Sequence, residues 1–203
     1  MVVKVADSFV AGADSDLEDW TPDTTGTGYT LDSGSAGAVF VEADTDTADV
    51  STGTISFYFP EPQDMGDPDM YVEVVLGAGT GSNYVCLRAT DYDHWIGFRH
   101  TSASACQVYR RNAGWASKGT FTATAGDTVR FEVIGDDWDV YVNGSGTPAL
   151  SFTDSFQNTT QTPGIRTAAT ASDYWRSWEF GNFLTGGTGI AVPIVYHHRQ
   201  QMS

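Results

Sequence analysis

The chain reads as an all-β protein, two antiparallel sheets packed face to face. Three observations lead there. Short segments that alternate apolar and polar residues recur along the 203 residues, separated by clusters of Gly, Asp, Ser and Pro that mark turns. One of them, at 127–144, can be written out as a complete hairpin. No stretch carries the 3.6-residue apolar period of an amphipathic helix worth defending, and no internal repeat is present.

In DTVRFEVIGDDWDVYVNG, Val129, Phe131 and Val133 alternate with Arg130, Glu132 and Ile134. Gly135, Asp136 and Asp137 then supply turn chemistry, because glycine accepts positive φ and aspartate side chains bond nearby amides. Alternation resumes over 138–143 and stops at Gly144. One face of this hairpin is apolar and needs a second layer to cover it, hence two sheets.

Residues 1–36 open with a short apolar strand at 2–5. They continue as Gly-, Asp- and Thr-rich loops with one or two short strands, Trp20 plugging an edge of the core. Strands follow at 38–43 and 52–59, the second stopped by Pro60 and Pro62. Next come 70–76, a three-strand meander at 84–90, 94–100 and 105–112, and a shorter strand at 115–121. After the hairpin lie 149–152, a short helical turn at 154–158, 164–167, and a long aromatic strand at 172–183, roughly a dozen strands in all. Beyond Gly181, TGGTG at 185–189 forms a flexible joint to IAVPIVYHHRQQMS. The expected organisation is a sandwich domain over 1–183 and a C-terminal arm over 184–203.

Composition excludes several functions. Asp and Glu total 26 against 10 Lys and Arg, a formal charge of −16, so a nucleic-acid backbone would be repelled. No apolar run approaches the ~20 residues of a membrane-spanning helix. MVVKVADSF is too short and too soon charged for a signal peptide. Only Lys4 and Lys118 are lysines, a surface suited to salt water, to calcium, or simply to solubility. Cys86 and Cys106, the only cysteines, fall on what read as neighbouring strands, leaving either one disulfide or two buried thiols, the thiols being the expected state.

Val140-Tyr141-Val142-Asn143-Gly144, then Thr162-Pro163-Gly164-Ile165-Arg166, then Ser172-Asp173-Tyr174-Trp175 running into Trp178-Glu179-Phe180 resemble the concanavalin A-like (laminin G-like) jelly-roll superfamily. Asp7-Ser8-Phe9 is similar to the start of many such domains. The resemblance outlines residues 7–183 and implies a jelly-roll sandwich. The superfamily includes glycoside hydrolases, sugar-binding modules, adhesion domains and virion surface proteins, so it speaks for fold rather than activity.

Candidate sites follow from chemistry. Retaining hydrolases of the superfamily carry two glutamates around an aspartate on one strand. No E-x-D-x-x-E or E-x-D-x-E occurs here, and Glu73 and Glu132 each stand alone, so both read as outward strand residues and no enzyme is expected. His94, His100, His197 and His198 lie outside any nucleophile motif. Five D-x-D pairs, Asp14/Asp16, Asp44/Asp46, Asp67/Asp69, Asp91/Asp93 and Asp137/Asp139, offer a structural Ca²⁺ site, although aspartate in turns explains them equally well. A sugar platform would draw on Trp95, Tyr109, Trp115, Trp138 and Trp175, whose flat faces suit a pyranose, unless these rings belong to the core. By alternation Trp175 faces away from Tyr174, Trp178 and Phe180. The arm, with Ile190, Val192, Pro193, Ile194, Val195 and Tyr196 before a tip of His197, His198 and Arg199, fits docking onto a neighbouring chain by strand addition or by filling a groove, the alternative being a last strand packed back across its own sandwich.

The expected function is therefore a non-enzymatic structural protein of a virion surface. It would be a capsid decoration or tail-fibre component, oligomeric within that assembly and held through the arm. The alternative is a carbohydrate-binding module that recognises a polysaccharide through exposed aromatics.

Overall fold

A computed structural model describes residues 1–9, 15–22, 24–34, 39–42, 47–50, 55–168 and 171–183. Among them the chain forms β1 (Val2–Asp7), β2 (Ser15–Asp16), β3 (Gly28–Ser33), β4 (Val39–Glu42), β5 (Thr47–Val50) and β6 (Ser56–Glu61). It continues with β7 (Met70–Leu76), β8 (Tyr84–Asp91), β9 (His94–Ser102), β10 (Ala105–Asn112) and β11 (Gly114–Phe121). Last come β12 (Thr128–Ile134), β13 (Asp137–Val142), β14 (Leu150–Thr153), β15 (Gly164–Thr167) and β16 (Ala171–Asn182).

These strands make a two-sheet antiparallel jelly-roll sandwich, as expected. One sheet has nine strands, in the order β14, β13, β12, β7, β16, β5, β4, β2, with β1 also paired to β16. The other has seven, ordered β11, β10, β9, β8, β15, β6, β3. Strand β16 serves two neighbours along one side, β5 near its start and β1 near its end, while β7 runs along the other. Between the sheets lie Val72, Val74, Phe131 and Val133 from one layer and Val85, Ile96 and Val108 from the other, all without solvent contact. Each such side chain contributes roughly 1.5–3 kcal/mol by leaving water.

The hairpin pairs Ile134 with Asp137, leaving Gly135 and Asp136 as a two-residue turn with Gly135 at φ +61°. The turn amide of Gly135 donates to Asp69 Oδ1 at 2.7 Å, from the loop before β7. Strands β8, β9 and β10 form the expected meander, which β11 extends.

Several expectations are corrected. Strand β5 was hidden by its polar composition and pairs with β4 and β16, while β3, within the region where one or two short strands were expected, pairs with β6. Pro60 does not stop β6, which runs on to Glu61. Strand β15 flanks β6 only at residues 56–58, so by Pro60 the strand has one neighbour and the missing N–H is tolerated. Residues 154–158 form no helix: Asp154 Oδ1 accepts from the Phe156 amide and a turn follows. Cys86 and Cys106 are free and buried, and β9 separates their strands. Cys106 belongs to the main core and Cys86 to a second cluster on the opposite face of the sheet. Burial pushes the Cys106 thiol up to about 12 and raises the Cys86 thiol well above its ordinary value. The segment 184–203, with every residue named for the arm, lies outside the described residues.

Candidate functional site

The seven-stranded sheet buries one face against its partner and builds a second apolar cluster on the other. Alternation is the cause: Val85 and Leu87 point inward, so Tyr84 and Cys86 point outward, and Trp95 and Arg99 do the same on β9 around inward Ile96 and Phe98. Phe57, Phe59, Tyr84, Cys86, Ala89 and Trp95 are buried in this outer cluster, with Tyr109 packed against it. Close approach requires glycine beneath the rings: a Cβ on Gly164 would come within 2.2 Å of Phe57 Cζ.

Trp115 lies across this cluster. Its ring centroid is 5.5 Å from Trp95, 5.5 Å from Tyr109 and 5.6 Å from Tyr84, yet the residue stays 47% exposed. Arg166 from β15 reaches to 5.1 Å of the same ring. Strands β11 and β15 are four places apart, ~19 Å at the usual spacing, so the long Arg166 and Trp115 side chains meet over the strands between them. The result is a groove of about 330 Å³ lined by Ser82, Tyr84, Arg99, Tyr109, Trp115 and Arg166.

Polar heads face this groove. Arg99 sits 5.6 Å from the Tyr84 ring and 5.4 Å from Tyr109, and donates to Ser82 Oγ at 2.7 Å and Gln107 Oε1 at 3.2 Å. Arg166 donates to the Ser82 carbonyl at 3.2 Å. Arg111 lies 4.8 Å from the Trp115 ring and is neutralised by Asp93. Burial pushes the Tyr84 hydroxyl up to about 12 against the opposing charges of Arg99 and Arg166. Among the described residues, the Trp115 indole N–H and the Tyr84 and Tyr109 hydroxyls have no hydrogen-bond partner and remain available to a ligand.

Of the five aromatics expected as a sugar platform, the fold brings Trp95, Tyr109 and Trp115 together here. Trp95 is fully buried as the floor, its indole held by the Tyr92 carbonyl at 2.8 Å. The other two are elsewhere. Trp138 is buried in the main core, stacked on Phe152 at 5.8 Å and donating to the Asp154 carbonyl. Trp175 is also in that core beside Tyr174 and Trp178. Register shifts on both sides of Trp175 break the strict alternation and turn these neighbours inward together. Tyr84, Arg99 and Arg166 were not singled out from the sequence; their outward parity was readable there, but not that β8, β9 and β15 adjoin.

The outer face of the nine-stranded sheet gathers acids. Glu73 is not alone: it stands directly opposite Glu179 on β16, with Arg130 opposite it on β12. Tyr71 donates to Glu179 Oε1 at 2.6 Å, and Glu132 is buried against Arg130 at 2.6 Å. Burial, reinforced by the Glu179 charge, raises the Glu73 carboxyl above the ordinary carboxylate range despite Arg130. A shallow cavity of about 220 Å³ includes Glu73 and Glu179 in its lining.

The D-x-D pairs are taken up locally. Asp67 accepts from the Asp69 amide, Asp91 contacts His94, Asp93 holds Arg111, and Asp137 and Asp139 accept from Thr153 and Ser151. The pairs Asp14/Asp16 and Asp44/Asp46 include residues outside the described set. Among the described residues no group of three or more His, Cys, Asp or Glu is placed to hold a metal ion.

No family model matches the chain. No curated protein matches it in sequence. Solved structures do share its fold. Domain 4 of AbnA, a GH43 extracellular arabinanase from Geobacillus stearothermophilus in complex with arabinotriose, superposes with a TM-score of 0.52 at 15% identity, over 88% of this chain and 91% of that one. The apo Crh5 transglycosylase gives 0.54 at 13% identity, over 89% of each chain. The exoplasmic/lumenal domain of VIP36 gives 0.52 at 8% identity, over 83% and 90%. At these identities the likeness establishes the fold alone, a two-sheet antiparallel sandwich.

Proposed function

We propose that this protein is a carbohydrate-binding module that seats a glycan in the groove beneath Trp115. The observation that carries this is the Trp115 ring, half-exposed over an aromatic floor, with unbonded hydroxyl and indole groups and two arginines beside it. A flat ring matches the apolar face of a pyranose, while hydroxyls need donors and acceptors at its rim. The AbnA domain bound to arabinotriose and the transglycosylase add weight, since the same sandwich is used on sugars in those proteins. A place on a virion surface, in a capsid or in a tail draws no comparable support, and the assembly arm lies outside the described residues.

A glycan array is expected to find specific binding at micromolar affinity. Trp115→Ala should weaken it about tenfold or more, because an aromatic contact contributes about 0.5–1.5 kcal/mol beyond the apolar area it buries. Binding unchanged by that substitution overturns the assignment. The module is proposed as non-enzymatic. Because Glu73 and Glu179 stand as cross-strand neighbours, ~5 Å apart at Cβ, the same sugars are to be assayed for cleavage. Turnover lost with Glu73→Gln would make the protein a glycoside hydrolase instead.

A further inference from the structure

Arg99 and Arg166 stand out in a chain of net charge −16. Arg88, Arg110, Arg111, Lys118 and Arg130 each lie within ion-pair distance of an Asp or Glu carboxylate. Among the described residues Arg99 and Arg166 have no such partner, although 26 acids are available in the sequence. Their known bonds go only to Ser82 and Gln107, which are neutral. Each also keeps a buried Nε with no hydrogen-bond partner. Arg166 is only 5% exposed, and its cation lies largely out of bulk water with no carboxylate at ion-pair distance among the described residues, Asp93 acting on it only from farther off. That arrangement is unfavourable for the free protein and becomes favourable when an anion enters.

Both side chains line the same groove. A third arginine nearby, Arg111, is already balanced by Asp93, which leaves Arg99 and Arg166 as the unpaired cations of the groove in a chain of net charge −16. Acids farther than the ~8 Å screening length at physiological salt do little to cancel that field. A guanidinium presents a planar fork of donors that matches a carboxylate or sulfate oxygen pair.

Building on the carbohydrate-binding reading above, we propose that the groove selects an acidic glycan, with Arg99 and Arg166 receiving the carboxylate or sulfate of the sugar stacked on Trp115. The neutral hydroxyls of the ring are left to Tyr84, Tyr109 and the Trp115 indole.

Titration calorimetry on the full chain tests this with three probes of equal length: an oligogalacturonate, a sulfated galactose oligomer and a neutral galactose oligomer. An anionic probe is expected to bind at least tenfold more tightly than the neutral one, and to weaken as NaCl is raised. The preferred probe tells carboxylate from sulfate. Arg99→Gln, on the partly exposed rim, should lower affinity for the anionic probe about tenfold or more, the loss of one charge-assisted contact, and so shrink the ratio of anionic to neutral affinity by a similar factor. Arg166→Lys keeps the charge but not the fork, and should weaken the same probe in a chain whose thermal midpoint shows it folded. Equal binding of neutral and anionic probes, lost with Trp115→Ala, would overturn the acidic-sugar inference and leave the module intact. Binding of none of the three, with no other glycan captured on an array, would overturn both.

Discussion

Asp7 is 2% exposed and accepts three hydrogen bonds: from the Phe9 amide at 3.0 Å, the Trp20 indole at 2.7 Å and the Tyr29 hydroxyl at 2.9 Å. Tyr29 in turn accepts from the Trp178 indole at 2.6 Å, so one carboxylate ties β1 to β3 and β16. Asp7→Ala strands those donors in the interior and should destabilise the fold by about 3 kcal/mol, with Asp7→Asn costing less because its amide oxygen still accepts. Urea denaturation reads this as a lower midpoint at unchanged slope. An unchanged midpoint for Asp7→Ala would mean the network carries no stability. At this scale the sequence was partly legible. It offered Asp7-Ser8-Phe9 as a domain-opening motif, Trp20 as a plug at an edge of the core, and Trp95, Tyr109 and Trp115 as rings of interest. Trp138 and Trp175 looked equivalent to them because alternation assigns a face, and only the packing of a second sheet decides which face is dry.

Between elements, Asp154 is the clamp that joins the two sheets at one edge. It follows β14 of the nine-stranded sheet and receives Lys118 of β11 at 2.5 Å and Arg110 of β10 at 3.2 Å from the other. Burial works to raise its carboxyl, but the Lys118 and Phe156 hydrogen bonds and the two cations outweigh it and hold the group below the usual range. A carboxyl depressed on folding stabilises above its unfolded value of about 3.9 and loses that contribution as pH falls through the folded value. Asp154→Asn should therefore lower stability by about 2 kcal/mol at pH 7. The gap between parent and variant should close as thermal melts are repeated below about pH 4, and a gap independent of pH would show that charge is not the cause. Elements were legible where periodicity was strong, as in β12 and β13. They were not where short polar strands depend on partners: nothing in Thr47-Ala48-Asp49-Val50 announces a strand until β4 and β16 flank it.

The order of strands across the whole molecule is what placed the functional residues, and that order was not in the letters. Glu73 meets Glu179 only because β7 adjoins β16, and Arg166 reaches Trp115 only because β15 enters the seven-stranded sheet beside β8. Both contacts join residues distant in sequence, so neither leaves a local pattern to read. The same connectivity sets a boundary. Asn182 pairs with Met70 on one side and Val2 on the other, and the Phe183 amide donates to the Asp69 carbonyl at 2.9 Å. The end of β16 is thus flanked on both sides by strands from within residues 1–183. A chain ending at Phe183 should fold, bind the same glycan, and melt within about 2–4 °C of the full-length protein, the equivalent of ~1 kcal/mol for a domain of this size. If 184–203 is an assembly arm, sedimentation should show any self-association of the full chain lost in the shortened one, with binding intact. A larger fall in the melting temperature would instead make 184–203 part of the sandwich, since only residues that cover the core or pair with an edge strand could withdraw that much stability on removal.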